Sequence, residues 1–234
     1  MTKSVGRVAV LLMVAIDPAA AQVFQVPITV SDGLNALVLI LGVHPAGSDG
    51  FDLGLDQLAP PPAPAGAFDA RFRVDSPSED FLKDIRFNNL ALKTFTMLYQ
   101  AASGEGPIVL TWNASSLVGM GTFEIVDNIT GMLFNPPLDM TTTNTLDVSS
   151  SPFLAPGLRI LVKPAPAVTR YVAPTGSDTG NTCTNQANPC ATIGHAVSQA
   201  NNDDTLNLAA GVYNEPDLVI DKLLHVRGQG IIVR

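Results

Sequence analysis

Residues 158–163 read LRILVK, a stretch in which Leu158, Ile160 and Val162 share one face while Arg159 and Lys163 point away from it. Residues 94–100, TFTMLYQ, show the same alternation, with Phe95, Met97 and Tyr99 on one face. A period of two predicts β-strands that bury one face and expose the other. Such strands favour an antiparallel sandwich or barrel over a parallel sheet that is covered on both faces.

The rest of the region before residue 164 breaks into similar short runs that are separated by turn residues. The chain contains 18 prolines and 19 glycines, which favour many short strands over long helices. The pattern therefore predicts an all-β fold, with an antiparallel β-sandwich module over residues 22–163. The remaining predicted strands of this module cover residues 26–30, 36–43, 68–74, 108–112, 122–126, 132–134 and 145–148.

The N-terminal residues have the features of a secretory signal peptide. A lysine and an arginine precede a short apolar run over residues 8–16, and small residues follow it. The predicted signal peptide covers residues 1–21, with cleavage between Ala21 and Gln22. The apolar run is about half as long as the ~20 residues of a membrane-spanning helix. We therefore expect a secreted or bacterial cell-surface protein without a membrane span.

The charge of the chain argues against one class of partner. The formal net charge is −8, and charged residues make up only 15% of the chain. An acidic protein repels phosphate backbones, and the basic residues of this chain form no cluster that would offset the repulsion. We therefore expect no nucleic-acid partner.

Residues 42–72 read GVHPAGSDGFDLGLDQLAPPPAPAGAFDARF. This order of a Gly-Val-His-Pro turn, an Asp-Gly loop, a proline run and a Phe-Asp-Ala-Arg-Phe strand resembles a β-sandwich module of large secreted bacterial proteins. The resemblance continues more weakly through residues 82–86, 108–112 and 140–143. It implies an accessory module with a structural or adhesive role and no enzymatic activity.

Residues 164–168, PAPAV, have the composition of a semi-rigid linker. After it, residues 193–200, IGHAVSQA, carry apolar side chains at positions i, i+3, i+4 and i+7, which predicts a short amphipathic helix. Short apolar pairs follow at a spacing of about 18 residues, which is near the length of one coil of a β-solenoid.

Residues 170–230 read RYVAPTGSDTGNTCTNQANPCATIGHAVSQANNDDTLNLAAGVYNEPDLVIDKLLHVRGQG. This segment resembles the entry to pectin-lyase-like right-handed parallel β-helices, in which a Tyr-Val-x-Pro-x-Gly-Ser-Asp start precedes a helix and a strand that ends in Ala-Gly-x-Tyr. The matching residues are 171–178, 189–200 and 204–215. The resemblance implies that residues 169–234 form the N-terminal cap and first coil of a parallel β-helix that is truncated here.

Cys183 and Cys190 are the two cysteines of the chain. In an exported protein, an even cysteine count in a loop rich in Asn, Thr and Pro favours a disulfide. Closing so small a loop stabilises the fold by about 2 to 3 kcal/mol. A metal site is the alternative, with His195 as the nearby candidate for a further ligand.

Asp49, Asp52 and Asp56 lie on a glycine-containing loop, where carboxylates suit a calcium ion. Their spacing does not fit an EF-hand loop, and an ordinary Asp/Gly turn is the alternative. No other cofactor is predicted.

A second group of ionisable residues lies near the C-terminal end. The pectin-lyase-like resemblance implies calcium-binding or acid–base roles for such residues, but on the middle coils of the β-helix, which this chain lacks. Ordinary solvent-facing strand positions are therefore the favoured interpretation. The residues are Asp203, Asp204, Asp217, Asp221, Lys222, His225 and Arg227.

These patterns lead to three hypotheses for function. The first is a non-catalytic adhesion protein of the cell surface that binds polysaccharide or surface proteins through a β-solenoid. The alternative is the N-terminal part of a pectin-lyase-like polysaccharide lyase or glycoside hydrolase, with catalytic coils beyond residue 234. The third is a purely structural stalk. No catalytic residue is predicted, because the sequence contains no Ser/His/Asp, phosphate-loop or paired-cysteine zinc pattern.

Overall fold

The computed structural model describes residue 21 and residues 23–75, 78–134, 136–155 and 157–234. Strands account for 42% of the described residues and helices for 8%, so the described part of the protein is predominantly β, as predicted. The described chain forms two compact units. The first ends at Pro166 and the second begins at Ala167, within the segment that was predicted to be a linker.

The first unit contains eleven strands among its described residues, and two 3₁₀ turns lie between the last two strands. The 3₁₀ turns are Val148–Ser150 and Pro152–Leu154. The strands are β1 (Phe24–Ser31), β2 (Ala36–His44), β3 (Gln57–Leu58), β4 (Asp69–Asp75), β5 (Ser78–Phe87), β6 (Lys93–Gln100), β7 (Val109–Trp112), β8 (Gly121–Asp127), β9 (Leu138–Asp139), β10 (Thr145–Asp147) and β11 (Leu158–Pro164).

These strands form one curled mixed sheet, a half-barrel, in the order β10-β7-β1-β2-β5-β4-β6-β11-β8-β9, with β3 beside this path on β5. The prediction of an antiparallel sandwich is therefore wrong. The neighbouring strands are antiparallel except β2 and β5, which pair in parallel from Ile40↔Lys83 to His44↔Phe87. The long connection between His44 and Ser78 supplies the crossover that parallel pairing needs.

Strand β5, SEDFLKDIRF, is the long strand of the first unit that sequence patterning missed, and the two-residue strands β3 and β9 were missed as well. Its charged residues dilute the apolar alternation, yet Phe81 lies in the core and Ile85 is buried. Ion pairs compensate the charges. Oδ1 of Asp80 lies 2.9 Å from Nε of Arg73, and Oδ2 of Asp84 lies 2.9 Å from Nη2 of Arg86. Because β5 lies between β2 and β4, it joins the strands on either side into a single sheet.

The alternation in LRILVK and TFTMLYQ is confirmed. Strand β11 pairs antiparallel with β6 on one side and with β8 on the other, and the register opposes Ile160 to both Phe95 and Ile125. All three side chains are buried in the core of the half-barrel. Other large members of this core are Phe24, Phe72, Phe81, Phe123, Met97, Leu110, Leu158 and Val162.

Residues 132–134 do not form the predicted strand, because they belong to a loop that Asp127 organises. The carboxylate of Asp127 accepts hydrogen bonds from the backbone N–H groups of Ile129 (3.0 Å) and Leu133 (2.8 Å). Burial opposes the charge of Asp127, but the backbone donors outweigh it and hold the pKa of the carboxyl group below its usual range. The local hydrogen bonds therefore override the β-propensity of the apolar residues.

The second unit contains one helix and five strands. The strands form two small parallel sheets. The elements are β12 (Thr169–Val172), α1 (Ile193–Gln199), β13 (Thr205–Leu208), β14 (Gly211–Tyr213), β15 (His225–Gly228) and β16 (Ile231–Val233). The three-stranded sheet has the order β12-β13-β15, and β14 pairs with β16. The predicted helix is present, and Ile193, Ala196 and Val197 bury its apolar face in the core of this unit.

The prediction of a pectin-lyase-like parallel β-helix is wrong. The fold is dominated by the curled mixed sheet, and the described part of the second unit contains only parallel sheets of three and two strands. A solenoid requires at least about three stacked coils to bury a continuous core. The period of about 18 residues in the sequence therefore reflects the spacing of short parallel strands in a small unit.

Candidate functional site

A cleft of about 540 Å³ opens in the first unit, where β6 ends and the connection from β10 to β11 crosses the half-barrel. The residues that line the cleft come from three separate stretches of the chain. They are Tyr99, Gln100, Ala101, Ile108, Val148, Ser149, Ser151, Pro152 and Ala155.

The crossing connection owes its shape to two successive 3₁₀ turns with side-chain caps. Asp147 accepts hydrogen bonds from the backbone N–H (2.9 Å) and the hydroxyl (2.7 Å) of Ser149. Ser151 accepts a hydrogen bond from the backbone N–H of Phe153, and Pro152 supplies the backbone angle that begins the second turn. One wall of the cleft is therefore formed by capped, locally stable turns.

Tyr99 ties the opposite wall to this connection. It lies near the end of β6, and its hydroxyl donates a hydrogen bond of 2.5 Å to the backbone carbonyl of Leu154. Burial raises the pKa of the Tyr99 hydroxyl above its usual range, so the group stays protonated and keeps its role as a donor at neutral pH. The ring itself is half-buried at the edge of the cleft.

Asp32 fixes the loop that continues from this wall. Its buried carboxylate accepts hydrogen bonds from the backbone N–H groups of Asn35 (2.7 Å) and Ala102 (3.0 Å). Burial opposes the charge, but the donors from Ala102, Asn35 and Leu34 outweigh it and lower the pKa of Asp32 to about 2. Asp32 is therefore ionised at neutral pH and stabilises the loop that follows β6.

The chemistry of the cleft is neutral. Among the described residues that line it, the polar groups are the hydroxyls of Tyr99, Ser149 and Ser151 and the amide of Gln100. None of these lining residues carries a carboxylate, amine, thiol or imidazole group. Hydroxyls and amides both donate and accept hydrogen bonds, so the cleft suits an uncharged polar ligand with an apolar face. The sequence patterns did not point to this site, because a serine run before a proline signals only a turn.

The predicted disulfide between Cys183 and Cys190 is present, with an S–S distance of 2.06 Å and a Cα–Cα distance of 5.1 Å. Both cysteines are fully buried in the core of the second unit. His195 lies beside them, and its Nε2 is 2.8 Å from the backbone oxygen of Asn181. In the described part of the chain, these three residues form the one group of potential metal ligands whose ligand atoms all lie within 4.8 Å of one another.

The candidate calcium ligands Asp49, Asp52 and Asp56 are not brought together in such a group among the described residues. Asp52 accepts a hydrogen bond from the backbone N–H of Ser48 (2.5 Å), and Asp56 accepts one from Ile85 (2.7 Å). Burial raises the pKa of Asp56 above its usual value. Two of these carboxylates therefore accept backbone N–H groups, one from the loop itself and one from β5, and calcium binding there stays a prediction.

The ionisable residues of the C-terminal end form structural contacts. Asp204 is fully buried and forms an ion pair of 2.9 Å with Arg170, and Asp203 lies 2.7 Å from Nε2 of His225. The ammonium group of Lys222 donates to backbone carbonyls at the end of α1, including that of Ala200 at 2.7 Å. These contacts stabilise the second unit, and they account for Asp203, Asp204, Lys222 and His225 among the ionisable residues of the C-terminal end.

Glu215 has a structural role that the sequence patterns did not reveal. Its two carboxylate oxygens accept hydrogen bonds of 2.6 Å from the backbone N–H groups of Ile193 and Gly194, at the start of α1. The side chain thereby accepts hydrogen bonds from two of the backbone N–H groups that have no partner within the first turn of a helix. Glu215 lies 21 residues beyond Gly194 in the chain, so no local capping pattern signals it.

Of the predicted signal peptide, residues 1–20 lie outside the described residues, and so does Gln22. Ala21, on the N-terminal side of the predicted cleavage point, is buried, and it exchanges hydrogen bonds with Asn88. In the described part of the chain, no helix combines the length and the apolar character needed to cross a bilayer.

Comparison with protein-family models, with curated proteins and with solved structures finds no match to this chain. The two family resemblances drawn from the sequence motifs therefore gain no support, and the mixed half-barrel overturns them.

Proposed function

We propose that this protein is an extracellular, non-catalytic binding protein that holds a neutral saccharide in the cleft between β6 and the β10–β11 connection. The observation that carries the proposal is the uncharged lining of a cleft of about 540 Å³. A volume of this size suits a small ligand such as one or two sugar rings. The disulfide between Cys183 and Cys190 favours an oxidising compartment outside the cytosol.

Sugar rings match this lining in two ways. Their hydroxyl groups can donate to the hydroxyl oxygens of Ser149 and Ser151 and to the amide oxygen of Gln100. The hydroxyl of Ser151 can also donate, whereas the Ser149 hydroxyl already donates to Asp147 and the Gln100 amide to backbone carbonyls. Their C–H faces pack on aromatic rings, and Tyr99 presents such a ring at the edge of the cleft. A charged ligand would lose hydration without gaining an ion pair in the described lining.

A blocking substitution tests the proposal. Full-length protein is first screened on an array of neutral and acidic glycans, and the affinity for the best neutral glycan is then measured by calorimetry. Ser149→Trp places a large side chain at an exposed position of the cleft and is expected to abolish binding.

Ser115→Trp is the matched control. Ser115 is also exposed and lies second in another 3₁₀ turn, Ala114–Leu117. Its hydroxyl donates to Asn113 as that of Ser149 donates to Asp147. Ser115 does not line the cleft, so this variant is expected to bind like the wild type. Equal binding by both variants, or no neutral glycan bound at millimolar concentration, would rule out the proposal.

A further inference from the structure

The two disulfide cysteines and His195 together offer three potential ligands for one soft metal ion. Both sulfurs and a ring nitrogen lie within 4.8 Å of one another. Zinc and cobalt bind thiolate sulfur at about 2.3 Å and imidazole nitrogen at about 2.0 Å, in tetrahedral geometry. Ligand atoms around such an ion are about 3 to 4 Å apart, so side-chain rotations of the two cysteines would bring their sulfurs into position once the S–S bond is open.

The backbone keeps the two cysteines together independently of the disulfide. Tyr171 of β12 donates its N–H to the carbonyl of Cys183 (2.7 Å), and its own carbonyl accepts the N–H of Cys190 (2.9 Å). Both cysteine backbones are therefore bound to the same residue of a strand. Opening the S–S bond leaves these hydrogen bonds in place, so the two sulfurs stay near each other.

The segments that flank the two cysteines have further anchors. Asp178 accepts hydrogen bonds from the N–H groups of Ala191 (2.7 Å) and Thr192 (3.2 Å), which come just before α1. Asn181 places the imidazole, because its carbonyl lies 2.8 Å from Nε2 of His195 and 3.8 Å from Sγ of Cys190. The imidazole of His195 and the sulfur of Cys190 thus both contact the backbone carbonyl of Asn181.

We propose that the dithiol form of this chain binds one zinc-like divalent cation through Cys183, Cys190 and His195, and that the disulfide and the metal exclude each other. A dithiol reductant supplies two electrons and two protons, which open the S–S bond to two thiols while the reductant becomes a cyclic disulfide. The cation then displaces the two thiol protons to solvent and binds the thiolates. Water takes the fourth position, as in three-ligand zinc sites.

Cobalt titration of the full chain tests this site. The protein is reduced with dithiothreitol, freed of reductant under nitrogen, and titrated with Co²⁺. We expect one cobalt per chain, with a thiolate-to-cobalt charge-transfer band and the intense visible bands of a tetrahedral complex. The oxidised protein is expected to show neither band.

Two histidine variants separate a built site from adventitious thiol binding. His195→Gln is expected to weaken cobalt binding by at least about tenfold. His225→Gln, which removes a histidine outside the group, is expected to leave the affinity unchanged. Equal affinity in these two variants, or equal binding by oxidised and reduced protein, would overturn the proposal.

A second measurement needs no variant. In reduced wild-type protein, one equivalent of Zn²⁺ is expected to slow the alkylation of both cysteines by iodoacetamide, and a chelator is expected to restore the rate. Alkylation at the same rate with and without zinc would equally overturn the proposal.

Discussion

Buried or half-buried carboxylates hold the loops of both units in place. Asp32 and Asp127 in the first unit, and Asp178 and Asp204 in the second, each accept at least two hydrogen bonds from backbone N–H groups. An ionised carboxylate is an acceptor with two oxygens, so one side chain can pair several N–H groups that a loop would otherwise bury unpaired. Much of the acidic character of this chain therefore serves loop structure, and these carboxylates are poor guides to a ligand site.

Replacement of Asp32 tests this role. In Asp32→Asn, an amide group replaces the oxygen that accepts the N–H of Ala102, so two donors face each other. The folded pKa of about 2 lies below the usual 3.8, so the carboxylate stabilises the fold fully above about pH 4 and loses this effect as the pH falls toward 2. We expect the variant to melt at lower temperature than the wild type at pH 7 and to depend less on pH between these limits.

Thermal unfolding followed by circular dichroism across this pH range measures both effects. Glu105→Gln is the control, because Glu105 is an exposed residue of the same loop. Identical pH profiles for Asp32→Asn and the wild type would contradict the assignment.

At the scale of elements, β5 and α1 depend on partners that are distant in sequence. Strand β5 tolerates its charges because Asp80 and Asp84 find arginines in the folded protein. Helix α1 has only seven residues, too few to be stable alone. It is held by its apolar face in the core and by the carboxylate of Glu215 at its N-terminus.

Glu215→Ala is expected to destabilise the second unit by about 1 kcal/mol, because two helical N–H groups lose a charged acceptor. Faster hydrogen exchange at the amides of α1, with unchanged exchange in β11, is the expected signature. Asp217→Ala changes a neighbouring exposed carboxylate and serves as the control. A stability equal to that of the control variant would show that Glu215 does not support the helix.

At the scale of the whole molecule, each unit has its own apolar core. The core of the half-barrel and the core that contains the disulfide share no residue. The disulfide closes a short loop in the second unit only, and its stabilisation comes chiefly from the unfolded state of that segment. The effect of removing it is therefore expected to stay within the second core.

Cys183→Ser combined with Cys190→Ser is expected to lower the stability of the second unit by about 2 to 3 kcal/mol. Trp112 is the only tryptophan and belongs to the first core, so its fluorescence reports unfolding of the half-barrel. We expect the midpoint of that transition in urea to be unchanged, while amides of β13 exchange faster. A loss of stability of the half-barrel, measured by tryptophan fluorescence, that equals the loss measured by hydrogen exchange in β13 would contradict two separate cores.

The features that depend on neighbouring residues could be predicted from the amino-acid sequence. The alternation of LRILVK and TFTMLYQ identified β11 and β6 and the side chains they bury. The period of apolar residues identified α1, and two cysteines in one short loop indicated the disulfide. Each of these signals lies within a few residues of the chain, where periodicity and loop closure act directly.

The order of the strands in the sheet and the position of the candidate ligand site could not be predicted before the folded chain was known. The parallel pairing of β2 with β5 made one curled sheet where two were predicted, and the cleft joins residues near positions 100, 108 and 150. The short sequence motifs on which the family resemblances rested did not predict the overall fold correctly. The physical reason is that strand order and the convergence of distant side chains depend on long-range contacts, which leave no periodic trace in the sequence.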